Sequence, residues 1–181
     1  MAKIIHSTYI HNHPYFTARQ DGYQLSSGKI VDPYYVVELP DSVCVMAITA
    51  GHEVLMIRQY RYPVDEILLE LPGGFMDNGE EPEIAASREL LEETGYAFEK
   101  FQYLGLTYGN PGVLCNATHL YLATGGTVSA LQSLDENEEI NIELHTLQEV
   151  ERMLHADEIK QSMHALCLHK GISFLRAQHT T

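Results

Sequence analysis

Over most of the first half of the chain, apolar residues either alternate with polar ones or cluster in short runs bounded by Gly, Pro, Asp and Ser, which predicts strands rather than helices. Runs of this kind fall at 3–10, 23–26 and 34–39, with turn signals at Asp21-Gly22, Ser26-Ser27-Gly28-Lys29 and Asp32-Pro33. They predict an N-terminal β-arm over residues 1–40. Residues 42–50 and 53–61, rich in Val, Ile and Met around Gly51-His52, predict a hairpin. Another strand at 66–71 is stopped by Pro72, Gly73 and Gly74, and more are expected at 101–108, 119–123 and 140–144.

Two regions have helical spacing. Residues 82–93 begin with Pro82 in the first turn and have Gly95 just past their end. Residues 147–154 and 158–170 follow near the C-terminus, with Gly171 as the expected terminator of the second. Strands interleaved with helices, without repeats or a long linker, predict one mixed α/β domain over residues 1–181. At 100° per residue, Glu92, Glu89 and Glu93 lie at about 80°, 140° and 180° from Ile84 and share one face of the first helix. Leu90, Leu91 and Ile84 form the opposite face, the one expected to meet the core.

Composition narrows the class. The 181 residues are 45% hydrophobic and 20% charged, which fits a folded domain and argues against disorder. No apolar stretch approaches the roughly 20 residues that span a bilayer, and the N-terminus lacks the pattern of a secretory signal. Cys44, Cys115 and Cys167 are odd in number and far apart, which predicts a reduced, cytoplasmic chain. With 11 Lys+Arg against 25 Asp+Glu, the net charge of −14 repels nucleic-acid backbones, so no stable nucleic-acid partner is expected. That charge is concentrated: residues 77–100 hold 8 acids and 2 bases, and residues 135–150 hold 6 acids and no Lys or Arg.

An acidic run is ordinarily a solvated face, but the glutamate spacing asks for more. Carboxylates at i, i+3 and i+4 repel by a few tenths of a kcal/mol per pair. A hard divalent cation such as Mg²⁺, which bridges carboxylates to substrate phosphates, would offset that repulsion. Arg88 stands four residues before Glu92, within reach of its carboxylate.

Gly74, Glu80, Arg88, Glu89, Leu90, Glu92, Glu93 and Gly95 match every fixed position of the signature of the Nudix hydrolases, and the sequence resembles that family. Only Tyr96, aromatic where the signature is aliphatic, is a looser fit. The resemblance implies an α/β/α sandwich and metal-assisted attack of water on a nucleoside-linked diphosphate. It implies Glu89, Glu92 and Glu93 as ligands of Mg²⁺ or Mn²⁺, with the Gly73 carbonyl as a further one. Glu80 and Arg88 become structural or orienting residues.

Arg58-Gln59-Tyr60-Arg61-Tyr62-Pro63, then Leu69-Glu70-Leu71-Pro72-Gly73-Gly74, is similar to the approach to the signature in one branch, the ADP-ribose and nucleoside diphosphate sugar pyrophosphatases. Pro111, 16 residues beyond Gly95, occupies that branch's marker position. The resemblance implies phosphate binding by Arg58 and Arg61, nucleotide contacts from Glu70 and base stacking by Tyr34. It implies a mobile acidic loop with Glu136 as general base and Glu138 assisting it or binding metal. It also implies a homodimer whose N-terminal arms exchange. Asn116 stands where the ADP-ribose enzymes often have an acid, which leaves other nucleotide sugars open. His11 and His13, and His164 with Cys167, lack the four-ligand spacing of a zinc site; a solvated arm and a helix surface are expected instead. The expected activity is hydrolysis of a nucleoside diphosphate sugar to a nucleoside monophosphate and a sugar phosphate. The alternatives are a nucleotide-sensing module and a hydrolase of dinucleoside polyphosphates or capped RNA.

Overall fold

Strand pairing and side-chain alternation together decide which residues reach which layer. The computed structural model describes residues 1–178, whose contacts group into two units, Met1–Asp41 with Tyr108–Ala117, and Ser42–Thr107 with Thr118 onward. In the first unit, β1 (Lys3–His13), β2 (Phe16–Gln24) and β3 (Ile30–Glu38) form an antiparallel sheet in that order. The Val37 amide donates to the Val113 carbonyl at 2.8 Å, joining residues 108–117 to the edge of β3.

Two expected turns are strand interior. β2 runs straight through Asp21-Gly22, where the register with β1 shifts next to His6 and a Cβ on Gly22 would overlap the His6 ring. A glycine inside a strand marks a bulge as readily as a turn. β3 runs through Asp32-Pro33, in the irregular stretch of its register with β2, on an edge strand where a missing N–H is tolerated. The Ser26-to-Lys29 signal does form the turn between β2 and β3.

The second unit is a mixed sheet of β4 (Ser42–Thr49), β5 (Val54–Arg61), β6 (Glu66–Glu70), β7 (Tyr96–Ala97), β8 (Lys100–Thr107), β9 (Thr118–Val128) and β10 (Ile140–His145). A 3-10 turn, Tyr62–Val64, joins β5 to β6. The central order is β10-β5-β4-β9-β7, with β6 also on β5 and β8 also on β9; β4 and β9 are parallel. Val43, Val45, Ala47, Leu55 and Ile57 face α1 (Pro82–Thr94), while Cys44, Met46, Val54 and Met56 face α2 (Leu147–His155) and α3 (Ser162–Gln178). The result is the expected α/β/α layering.

Three side-chain expectations change. Ile84 and Leu91 are exposed, and α1 instead buries Ala85, Ala86, Leu90, Glu93 and Thr94. Two alanines let the helix lie close on the sheet, and the carboxylate of Glu93 goes in with them. His164 and Cys167, expected on a helix surface, are buried in the stripe His164, Cys167, Leu168, Gly171 and Ile172 of α3, at i, i+3, i+4, i+7 and i+8. Gly171 does not end the helix, which continues to Gln178; a Cβ there would overlap Met46 Sδ, so the glycine serves a close helix–sheet contact. All three cysteines are free thiols, and among the described residues no helix is long and apolar enough to cross a membrane.

Because a side chain at 171 would displace the fully buried Met46 Sδ, Gly171→Val is expected to destabilise the fold by about 1–3 kcal/mol. Urea unfolding measures it; a midpoint equal to or above wild type would mean that α3 does not approach the sheet this closely.

Candidate active site

The site is organised by a single guanidinium. Arg88 has five N–H donors, and all five are engaged. Nε and Nη2 form a fork on Glu80 at 3.0 and 2.9 Å. Nη1 donates to Glu89 at 2.8 Å and to Glu92 at 2.9 Å. The second hydrogen of Nη2 goes to the Phe75 carbonyl at 3.1 Å. The loop before α1 and two turns of the helix are thereby tied to one cation, and hydrogen bonding to Arg88 holds the Glu80 carboxyl below its usual range.

Glu93 is satisfied differently. Its Oε2 accepts the Gly73 amide at 2.8 Å. The turn that presents this amide is itself anchored to β4, since the Val45 amide donates to the Pro72 carbonyl at 3.0 Å and the Val43 amide to the Gly74 carbonyl at 2.9 Å. A Cβ on Gly74 would come within 2.6 Å of the Glu89 carboxylate, so the backbone and that carboxylate pack with no side chain between them. Burial pushes the Glu89 carboxyl up to about 7 against the pull of Arg88, and burial pushes Glu93 up to about 8 against its amide hydrogen bond.

The C-terminal end of α1 is closed by a segment that the sequence did not flag. Gly95 takes the left-handed conformation at the cap, with φ 72°. Its carbonyl accepts the amides of Ser129 and Ala130, while Ser133 donates its amide to the Glu92 carbonyl at 2.8 Å. Gln132 Nε2 donates to the Glu93 carbonyl at 2.7 Å and to Ile140 at 3.3 Å. A polar run of Gln, Ser and Ala carries little local pattern, so only the presence of free carbonyls at a helix end pointed to such a partner. The strap leads into the acidic loop, where Glu138 is half-buried and adds its charge to the field at Glu89, Glu93 and Arg61. Glu136 is exposed at the turn of that loop.

Side-chain parity separates the two arginines of β5. Arg61 lies on the α1 face and forms a fork on the fully buried Glu70, Nε to Oε1 at 3.0 Å and Nη2 to Oε2 at 2.6 Å. Arg58, three residues earlier, belongs to the α2/α3 face, where Nε donates to Glu143 at 2.5 Å; His145 contacts the other oxygen of Glu143 at 2.9 Å. The structure thus brings Arg61, Glu70, Gly73, Arg88, Glu89, Glu92, Glu93 and Glu138 together and leaves Arg58 on the other side of the sheet. In the first unit, Tyr34 donates its hydroxyl to the Gly112 carbonyl at 2.5 Å and meets Tyr23 edge-on, and Pro111 is exposed in the same turn. Asn116 Oδ1 is buried without a hydrogen-bond partner among the described residues. His11 and His13 lie on the exposed β1, their rings stacked 6.4 Å apart.

Among the described residues, no three His, Cys, Asp or Glu side chains converge as a finished metal cage. The reason is visible: Glu89 and Glu92 are turned onto Arg88, and Glu93 onto the Gly73 amide. The donors present are nonetheless hard carboxylate oxygens, two of them in surroundings that resist their negative charge. That is the donor chemistry a hard divalent cation takes, and the residues fit one.

Residues 38–166 match the family profile described as NUDIX domain, and residues 3–37 match one described as nucleoside diphosphate sugar hydrolase N-terminal domain. An ADP-ribose pyrophosphatase of Bacillus subtilis (strain 168) is 32% identical over 151 residues, spanning 75% of this chain and 82% of the relative. A methanol dehydrogenase activator of Bacillus methanolicus is 37% identical over 115 residues, spanning 63% of this chain and 62% of the relative. A solved structure described as an ADP compounds hydrolase shares the fold at a TM-score of 0.86 and 20% identity, spanning 98% of this chain and 95% of that one. The profile covers well over half of the residues, including the loop and helix that Arg88 ties together, and the chain belongs to the NUDIX family of hydrolases.

Proposed function

We propose that the chain hydrolyses the diphosphate linkage of a nucleoside diphosphate sugar, giving a nucleoside monophosphate and a sugar phosphate. The observation that carries this is the partly buried carboxylate set of α1 gathered on the same face as Arg61. The ADP-ribose pyrophosphatase of B. subtilis and the match of residues 3–37 support the substrate class. Hydrolases of this family generally need a divalent metal. Here Glu89, Glu92 and Glu93 would hold Mg²⁺ or Mn²⁺, with the Gly73 carbonyl beside them. When bound, the ion supplies Lewis acidity at the phosphoryl oxygens.

The remaining steps belong to the chain. Arg88 keeps Glu89 and Glu92 from splaying apart and fixes Glu80 behind them. Arg61 has two of its five N–H donors on Glu70 and offers the rest to a phosphate oxygen. Glu138 takes the proton of the attacking water at its carboxylate; the water oxygen bonds to one phosphorus as the bridging P–O bond breaks. Glu138 suits this role better than Glu136, because it is half-buried with its charge bearing on Glu89 and Glu93, whereas Glu136 is exposed at the turn. The chain is also read as a homodimer: every residue of β1 is exposed, Ile4, Tyr9 and Ile10 among them, and a second copy would cover that surface. Sedimentation is expected to give twice the chain mass; a monomer at micromolar concentration would refute the dimer.

A panel of nucleoside diphosphate sugars assayed with Mg²⁺ and with Mn²⁺, reading both products, tests the activity. Glu93→Gln keeps an acceptor for the Gly73 amide but removes the charge, so kcat is expected to fall by about 100-fold or more with the fold intact. Wild-type-like turnover would eliminate Glu93 as a ligand.

The raised carboxyls also set a pH dependence. For Glu89 and Glu93 the folded values, about 7 and about 8, lie above the usual carboxyl value of 4.5. Their protonation therefore supports the metal-free fold fully below 4.5, and this support is lost as pH rises through 7 and 8, by roughly 1–4 kcal/mol. Urea midpoints in EDTA are expected to fall from pH 5 to pH 8.5, with added Mg²⁺ restoring most of the loss at the upper end. A flat profile in EDTA would show that the two carboxylates are not held against their ionisation.

A further inference from the structure

His164 is a buried titratable group that the reaction described above does not use. It sits in the first turns of α3, in the layer opposite α1, yet both of its ring nitrogens face the turn that builds the site. Nδ1 accepts the Leu71 amide at 2.8 Å, so the single proton of the neutral ring is on Nε2. Burial pushes its pKa down to about 4, which keeps the ring neutral under ordinary conditions. The Nε2–H end faces Glu70 Oε2 at 4.0 Å, the same oxygen that accepts Arg61 Nη2 at 2.6 Å.

Glu70 is fully buried, and a buried carboxylate is held in one orientation only if enough donors surround it. Arg61 supplies two, and the imidazole Nε2 lies next to it at 4.0 Å, close enough for its N–H dipole to act on the carboxylate without a hydrogen bond. Leu71, whose amide the same ring holds, is followed by Pro72, Gly73 and Gly74, the residues that carry the Glu93 contact. One side chain on α3 therefore holds the backbone that leads to Glu93 and lies 4.0 Å from the carboxylate that aims Arg61.

We propose that His164 is a positioning residue for substrate binding: its Nε2–H end orients Glu70, and through Glu70 it directs the Arg61 guanidinium toward the substrate phosphates. This inference rests on the hydrolysis proposed above, with Arg61 as a phosphate ligand. The Nδ1 contact with Leu71 serves the fold, and the Nε2 contact serves the substrate, so two amide substitutions separate them. In His164→Asn the side-chain carbonyl replaces Nδ1 and nothing faces Glu70. In His164→Gln the amide nitrogen replaces Nε2 and the Leu71 amide loses its acceptor.

Both variants are tested with the preferred substrate of the panel and Mg²⁺, together with urea unfolding and the NMR signal of the Arg61 Nε–H group. His164→Asn is expected to raise KM about 5- to 20-fold with kcat within about 2-fold, to shift the Arg61 signal and to unfold near the wild-type midpoint. His164→Gln is expected to restore KM to within about 3-fold of wild type and leave the Arg61 signal near its wild-type position, although it unfolds earlier. A KM defect that instead follows stability, worse in His164→Gln than in His164→Asn, would overturn the proposal. So would an unchanged KM and Arg61 signal in His164→Asn. If wild type turns over nothing in the panel, the proposed hydrolysis fails by itself, and the Arg61 signal still decides whether His164 sets that side chain.

Discussion

Everything in the second unit answers to one electrostatic difficulty: too many carboxylates at the wrong end of a helix. Glu89, Glu92 and Glu93 lie in the last turns of α1, where the helix dipole already disfavours negative charge, and the last turn holds no basic residue. Two of the three are largely withdrawn from water. Arg88 is the principal relief, with every donor committed and three carboxylates around it. The raised carboxyls show that even this is not enough. The unrelieved part is what a divalent cation bound at these carboxylates would offset.

The net charge reads differently in that light. A surplus of acids spread over the surface would keep a protein away from any polyphosphate. Here most of the surplus lies in α1 with its flanks and in the loop around Glu138, which meet on one face of the sheet. Glu138 raises the carboxyls of Glu89 and Glu93 further, so the loop increases the demand for a cation. A metal held there would let the same acids hold an anionic substrate.

What the sequence made legible was whatever depends on neighbours along the chain. The spacing from Gly74 to Gly95 identified α1, its cap and its acids, because a helix converts fixed intervals into a fixed arrangement. Strand runs around Gly51-His52 were legible for the same reason. Facing was not. Ile84 and Leu91 are the more hydrophobic residues of α1, yet Ala85 and Ala86 allow the closer approach to the sheet, and that contact chose the buried side. Arg58 and Arg61 look equivalent in a basic motif, but three residues along a strand is an odd step and puts them on opposite faces. Gly171 and Gly22 carry terminator and turn signals, and each is a glycine because something packs against it: Met46 in one case, His6 in the other. Such partners lie far away in sequence, where no local pattern reaches.

The turn from Leu71 to Gly74 shows how three layers become one site. From the sheet, the amides of Val43 and Val45 hold the carbonyls of Gly74 and Pro72. From the α1 side, Glu93 takes the Gly73 amide. From the α3 side, His164 takes the Leu71 amide. Leu71 anchors the segment in the core, but Gly73 and Gly74 have no side chains to fix them. Held by hydrogen bonds from three directions, it becomes a rigid edge against which Glu89 packs at Gly74. The glycines let carboxylates approach the backbone, and the sandwich supplies the rigidity that glycines lack. The positions of the carboxylates are therefore a property of all three layers, since the turn beside them is tied to β4, to α1 and, at Leu71, to α3.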